Sequence, residues 1–69
     1  MFIEITPKAG EGKMILNVNQ IETVIPKDKE AKIILITQYN ANRHIMVKES
    51  YEDILKMIIG SNDYVVVRS

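Results

Sequence analysis

Apolar and polar residues alternate along four short stretches of the chain, which cover residues 2–6, 13–18, 20–25 and 43–48, and a fifth, mostly apolar stretch covers residues 31–38. A period of two is typical of β-strands that bury one face. Glycine, proline or asparagine clusters separate the stretches, and such clusters predict turns. The pattern therefore predicts a small antiparallel sheet made of short strands.

Two of the predicted strands have features that suggest their place in the sheet. Residues 33–36, Ile-Ile-Leu-Ile, are apolar on both faces, which favours a central strand with both faces covered. Pro26 is expected to end the third strand, because proline cannot donate a hydrogen bond to a neighbouring strand. The glycine-rich residues 10–13 and the charged residues 27–30 are interpreted as turns. Residues 17–20, rich in asparagine, suggest a bend or bulge.

The clearest local pattern is a helix that begins after Ser50, a residue type favoured at helix N-termini. Asp53 stands three residues further on, in a shortened capping-box pattern, and Gly60 is expected to end the helix. The apolar stripe of this helix consists of Tyr51, Ile54, Leu55 and Ile58, spaced at i, i+3, i+4 and i+7.

A last strand is expected at residues 64–67, Tyr-Val-Val-Val, which is apolar on both sides. A strand of this kind at the edge of a sheet is prone to pair with another chain. A 69-residue domain without cysteine also lacks disulfides as a source of stability, so self-association is the expected remedy. The predicted oligomer interface consists of Met57, Ile59, Tyr64, Val65, Val66 and Val67.

These elements form one domain over residues 1–69. Its class is α+β and mainly β, an antiparallel sheet or half-barrel of five to six short strands with one helix near the C-terminus and a final strand. Nine basic and nine acidic side chains give a formal net charge of zero, which argues against nucleic acid and membranes as partners. No apolar run approaches the length of a signal peptide core or a membrane span, so we expect a cytoplasmic protein.

Catalytic groups are scarce. His44 is the single histidine, cysteine is absent, and no acidic residue adjoins His44 in the sequence. Glu49, Glu52 and Asp53 are attributed to the start of the helix, where negative charge is favourable. We therefore expect no enzymatic activity, no metal site and no cofactor.

The segment 38–44, Gln-Tyr-Asn-Ala-Asn-Arg-His, holds the densest group of polar functional side chains. An arginine fork and an aromatic ring could together recognise a small anion. Ordinary hairpin residues are the alternative interpretation of the same segment. The candidate ligand-binding residues are Tyr39, Asn40, Asn42, Arg43, His44, Lys48 and Arg68.

In the segments ILNVNQIETVIP and IMVKESYEDILKMI, Leu-Asn precedes Ile-Glu and Val-Lys-Glu leads into the helix. These segments carry a resemblance to the small FlbD/SwrD-type flagellar and swarming motility proteins. It spans most of residues 1–59. The Asn-Gly hairpin usual in that family is replaced here by residues 39–42, Tyr-Asn-Ala-Asn, and the segment DYVVVRS is not typical of the family. The resemblance implies a non-enzymatic motility protein with no catalytic residues to carry over.

Two function classes follow from these observations. The first is a non-enzymatic, oligomeric interaction module that acts through a protein partner. The second is an oligomer that sequesters a nucleotide-like anion between its subunits, a design shared in general terms by small phage proteins that block host defence signalling. The first class predicts that Arg43→Ala has no effect, whereas the second predicts that Arg43→Ala or Tyr39→Ala abolishes binding while the assembly survives.

Overall fold

A computed structural model describes residues 1–10, 12–39 and 42–60 and confirms a mainly β domain with one C-terminal helix. The side chains of Gln38 and Tyr39 are outside this description. The predicted last strand at residues 64–67 also lies outside the described residues. The elements are β1 (Phe2–Ile5), β2 (Met14–Asn17), a 3₁₀ helix (Val18–Gln20), β3 (Ile21–Lys27), β4 (Glu30–Tyr39), β5 (Asn42–Val47) and α1 (Tyr51–Ile59).

The strands form two antiparallel sheets, β1–β2 and β3–β4–β5, with β4 in the centre of the second as its sequence predicted. The chain after β1 links the two sheets. Pro7 lies opposite Val47, the Lys8 N–H donates to the Met46 carbonyl at 2.8 Å, and the Lys48 N–H donates to the Thr6 carbonyl at 2.9 Å. The two sheets are therefore joined along β5 and curl around one core.

The core forms where alternate residues of every strand point inward, as the period of two requires. α1 contributes Ile54, which is fully buried. Within the described residues, those that are buried are Ile3, Ile5, Leu16, Val18, Ala31, Ile33, Leu35, Ile45, Val47 and Ile54. Removal of this apolar surface from water is the main favourable term in the folding of such a domain.

The prediction that Pro26 ends the third strand is wrong, because β3 continues to Lys27. Ladder hydrogen bonds alternate sides along an antiparallel strand. Met46 bonds toward Lys8, so Val47 and its partner Ala31 bond to each other on the opposite side of β5. Pro26 lies opposite Ala31 on the other side of β4. Because the backbone groups of Ala31 point toward β5, the backbone nitrogen of Pro26 points away from β4. The missing N–H of Pro26 removes no ladder bond, since β3 is an edge strand among the described strands.

The ends of α1 follow the predicted chemistry. The Ser50 hydroxyl accepts a hydrogen bond from the Asp53 N–H at 3.1 Å, which confirms the N-cap. The Gly60 N–H donates to the Lys56 carbonyl at 2.8 Å, and Gly60 keeps a right-handed helical conformation. The bend predicted at residues 17–20 is the 3₁₀ helix, which the Asn17 side chain caps by accepting from the Asn19 N–H at 3.0 Å.

Candidate functional site

The polar segment 38–44 is only partly described. Asn40 and Arg68, both candidate ligand-binding residues, lie outside the described residues, and for Tyr39 only the backbone is described. Tyr39 pairs with Asn42 at the β4–β5 hairpin. The structure therefore places three of the predicted residues with their side chains, namely Asn42, Arg43 and His44, and it also places Lys48.

The Arg43 side chain holds three strands together. Its Nε donates to the Leu35 carbonyl on β4 at 2.9 Å, and its Nη2 donates to the Glu22 carboxylate on β3 at 3.0 Å. Register shifts occur in both pairs of strands nearby, between Ile21 and Thr23 on β3 and between Ile34 and Tyr39 on β4. The guanidinium thus supplies a donor to a backbone carbonyl where the strand pairing is irregular. The Nε–H and one Nη2–H of Arg43 are therefore already hydrogen-bonded within the domain.

His44 lies on the outside of β5. Its N–H donates to the Asn42 side-chain oxygen at 2.8 Å, and its imidazole is exposed. Ile45 and Val47 are buried, so His44 and Met46, which alternate with them along β5, face away from the core. Within the described residues no group of three or more metal-ligating side chains is present.

An open groove of about 640 Å³ runs beside this part of β5. The turn that follows β1 forms its other wall, with Lys8 and Lys13 at its rim, and Met14 and Met46 contribute apolar surface. His44 lines the groove from β5. The sequence had indicated only a simple turn at residues 10–13. The groove depends on the path of that turn past β5, which no local pattern records.

The outer face of the three-stranded sheet is continuous with the groove. Strand pairing places Ile25 beside Lys32 and Lys32 beside Met46, and in the next row it places Ile34 beside His44. These residues alternate with the buried ones, so they lie on the opposite side of the sheet from the core. Lys8, Lys27, Glu30 and Lys48 lie at one end of the same face. We name this set the basic face. It consists of Lys8, Ile25, Lys27, Glu30, Lys32, Ile34, His44, Met46 and Lys48.

Ion pairs neutralise few charges on the basic face. Lys8 Nζ lies 2.9 Å from Glu30 Oε1, and its side chain stays 56% exposed. In the part of the chain that the structure describes, Lys27, Lys32 and Lys48 form no ion pair. The sequence could have indicated this grouping only through the strand registers, because these lysines come from separate strands.

Glu49 has a role that the sequence interpretation missed. Its carboxylate accepts hydrogen bonds from the Thr6 N–H at 2.7 Å and the Thr6 hydroxyl at 2.8 Å, 43 positions away in the chain. Partial burial raises the pKa of Glu49. The hydrogen bonds from Thr6 and the positive charge of Lys13 lower the pKa, and together the lowering effects are larger. The pKa therefore lies below its ordinary value. Glu49 joins the end of β1 to the start of α1.

A second surface lies on the outside of the β1–β2 sheet. Phe2 is 64% exposed and Ile15 is 67% exposed. The pairs Phe2–Asn17 and Glu4–Ile15 place both apolar side chains on one face as diagonal neighbours. Ile3 and Ile5 of the same strand are buried, and the sequence analysis gave no role to Phe2. Its position in the same phase as Glu4 was the available signal.

The predicted oligomer interface is described at two of its six residues. Met57 is half-buried and packs against the core, whereas Ile59 is 39% exposed near the end of α1. The other four, residues 64–67, lie outside the described residues. Among the described helices none is long and apolar enough to cross a membrane.

Comparison with known proteins adds no relative. No family model, no curated protein and no solved structure matches the chain. The resemblance to the FlbD/SwrD-type motility proteins therefore stays a prediction from the two segments that carry it.

Proposed function

We propose that the chain is a small, non-enzymatic interaction module that forms a homo-oligomer and acts through a protein partner. The observation that carries this proposal is the exposed apolar pair Phe2 and Ile15 on the outer face of β1–β2. Water is a poor environment for two neighbouring apolar side chains, and contact with another protein removes them from it.

The architecture around this pair supports self-association. β2 pairs only with β1 among the described strands, so its other edge is open to a further strand. Glu4 and Lys13 flank the apolar pair. Lys13 Nζ lies 3.4 Å from Glu4 Oε1, and both side chains are more than half exposed. A patch that carries one acid and one base is self-complementary under a two-fold axis. We also propose that the protein is cytoplasmic. A chain of 69 residues that relies on association instead of disulfides suits this reducing compartment.

The mass of the assembly tests the oligomer. We expect native mass spectrometry and light scattering to show one discrete oligomer for the natural chain. The double variant Phe2→Ser, Ile15→Ser is expected to be a folded monomer, because both exposed apolar contacts are removed. Ile36→Ser is the matched control, since Ile36 is 53% exposed on a different sheet. A monomeric natural chain, or a double variant with unchanged mass, contradicts the proposal.

A small anion bound by the oligomer is the second candidate, because Lys8, Lys13 and His44 all line one groove. Arg43 is expected to contribute less, since its Nε–H and one Nη2–H are already bonded to Leu35 and Glu22. The same mass spectra distinguish this function: extra mass that leaves on denaturation, and that is lost in His44→Ala while the assembly persists, would favour it over a protein partner.

A further inference from the structure

We infer that the basic face is the docking surface for an acidic segment of a partner protein that also carries aliphatic side chains. This inference rests on the proposed function, since it names where a protein partner binds and what its chemistry is. It concerns the β3–β4–β5 sheet and the groove beside β5, on a different sheet from Phe2 and Ile15.

The charge of the basic face points to an acidic partner. The face carries four lysines, Lys8, Lys27, Lys32 and Lys48, and one acid, Glu30, whereas the whole chain has a formal net charge of zero. Glu30 is paired with Lys8, and the other three lysines form no ion pair within the described residues. A positive potential of this kind speeds the approach of negatively charged partners and selects against positively charged ones.

The centre of the face points to a partner with aliphatic side chains. Ile25, Ile34 and Met46 lie half-buried between the lysines, on the side of the sheet that faces away from the core. Apolar surface at the centre with charged residues at the rim is the usual layout of a protein interface. Methionine adapts its shape to the side chains that it contacts, which suits Met46 to such a surface.

The edge of β5 gives the partner a place to enter. Among the described residues, pairing of β5 with the chain after β1 does not extend beyond Lys8, and the groove begins at that point. Since Met46 and Lys48 bond toward that chain, the alternation along an antiparallel strand directs the backbone N–H and carbonyl of His44 to the same side of β5. The groove lies on this side, and the His44 N–H donates to the Asn42 side chain. An extended segment could therefore bond to β5 there and continue across the basic face.

Nucleic acid fits this surface less well than protein does. Binding of single strands relies on aromatic side chains that stack on bases. The described aromatic side chains lie elsewhere, since Phe2 is on the β1–β2 sheet and Tyr51 is on α1. The centre of the basic face offers aliphatic surface instead. A nucleic acid is therefore kept as an outcome of the test.

Fluorescence anisotropy with defined probes tests the inference. The principal probe is a labelled twelve-residue peptide, four repeats of Glu-Leu-Glu, and it is compared with four repeats of Glu-Ser-Glu and of Lys-Leu-Lys and with a twelve-nucleotide oligothymidylate. We expect the Glu-Leu-Glu peptide to bind the full chain about tenfold more tightly than any other probe. The affinity should fall between about 50 and 300 mM NaCl.

Charge reversal locates the site. Lys32→Glu, Lys48→Glu is expected to weaken binding of the Glu-Leu-Glu peptide by about tenfold or more. Lys56→Glu, Lys29→Glu is the matched control, since it changes the total charge equally on α1 and in the β3–β4 turn, and we expect less than about a twofold effect. Lys32→Gln, Lys48→Gln gives a second, milder variant in case the reversed pair fails to fold.

Three results would overturn the inference: no binding of the Glu-Leu-Glu peptide, equal weakening by the control pair, or oligothymidylate binding as tight as the peptide. The Phe2→Ser, Ile15→Ser variant separates this inference from the proposed function. If that variant becomes monomeric while the natural chain does not bind the peptide, the result contradicts the docking surface on the basic face and supports the oligomeric module. If the natural chain is monomeric and binds the peptide, the result contradicts the proposed oligomer and supports the docking surface.

Discussion

Arg43 illustrates how the tertiary environment decides the use of a single side chain. Its residue type and its loop neighbours suggested that it recognises a small anion. In the structure its Nε replaces a backbone donor at the Leu35 carbonyl, and its other end pairs with Glu22. A carbonyl in an irregular part of a sheet needs a partner, because an unsatisfied polar group loses the hydrogen bond it would make with water. Arg43 therefore has a structural use in the free domain.

Arg43→Ala should lower the free energy of unfolding by about 1–2 kcal/mol, because the Leu35 carbonyl loses its donor. Arg43→Lys should not restore stability, since lysine has no Nε–H that could reach this carbonyl in the same geometry. Urea unfolding measures both effects. Lys48→Ala serves as the control and should stay within about 0.5 kcal/mol of the natural chain. Equal stability of the alanine variants at positions 43 and 48 would contradict this structural use.

At the scale of secondary-structure elements, the contact between Glu49 and Thr6 determines how α1 sits on the sheets. The carboxylate reaches the end of β1 immediately before the Ser50 N-cap. The first turn of α1 is thus fixed both by its own cap and by a strand from the far end of the sequence. Ile54 then enters the core one turn further along. The position of the helix follows from these contacts more than from its own propensity.

This contact should make stability depend on pH. The pKa of Glu49 is lowered in the folded chain, so its contribution is complete above the ordinary glutamate pKa of about 4.3 and is lost as the pH falls through the lowered value. Glu49→Gln should therefore be less stable than the natural chain at pH 7, with a difference that shrinks in acid. Denaturant unfolding across this pH range measures the difference.

Glu52→Gln is the comparison for this effect, because Glu52 carries the same charge in the first turn of α1 without a contact to Thr6. A difference between Glu49→Gln and the natural chain that did not change with pH would show that the hydrogen bonds to Thr6 do not favour the ionised form.

At the scale of the whole molecule, ten buried residues in the part of the chain that the structure describes form one core between the two sheets and α1. A core of this size in a short chain provides a small margin of stability, so each buried side chain accounts for a large part of it. The charge of the molecule is also unevenly placed: the basic face collects lysines from several strands although the total formal charge is zero. The two properties are consistent with a domain that is stabilised by association and acts by binding.

Two isoleucines of β4 separate core from surface. Ile33 is fully buried and Ile36 is 53% exposed. Ile33→Ala should lower the free energy of unfolding by about 2–5 kcal/mol, because it leaves a cavity in the core. Ile36→Ala should cost less than about 1 kcal/mol. Similar losses for the two variants in urea unfolding would show that Ile36 is covered by another subunit or segment.

The local elements of this protein could be predicted from the sequence. The period of two predicted four of the five described strands, the Ile-Ile-Leu-Ile run predicted the central one, and Ser50 with the apolar stripe predicted α1, because each of these signals depends on neighbours along the chain. The sequence could not predict which side chains meet. In the structure the Pro26 nitrogen faces away from β4, Arg43 and Glu49 join distant segments, and Phe2 and Ile15 share an exposed face. Strand register and curvature arise from contacts between distant segments, and no local pattern specifies them.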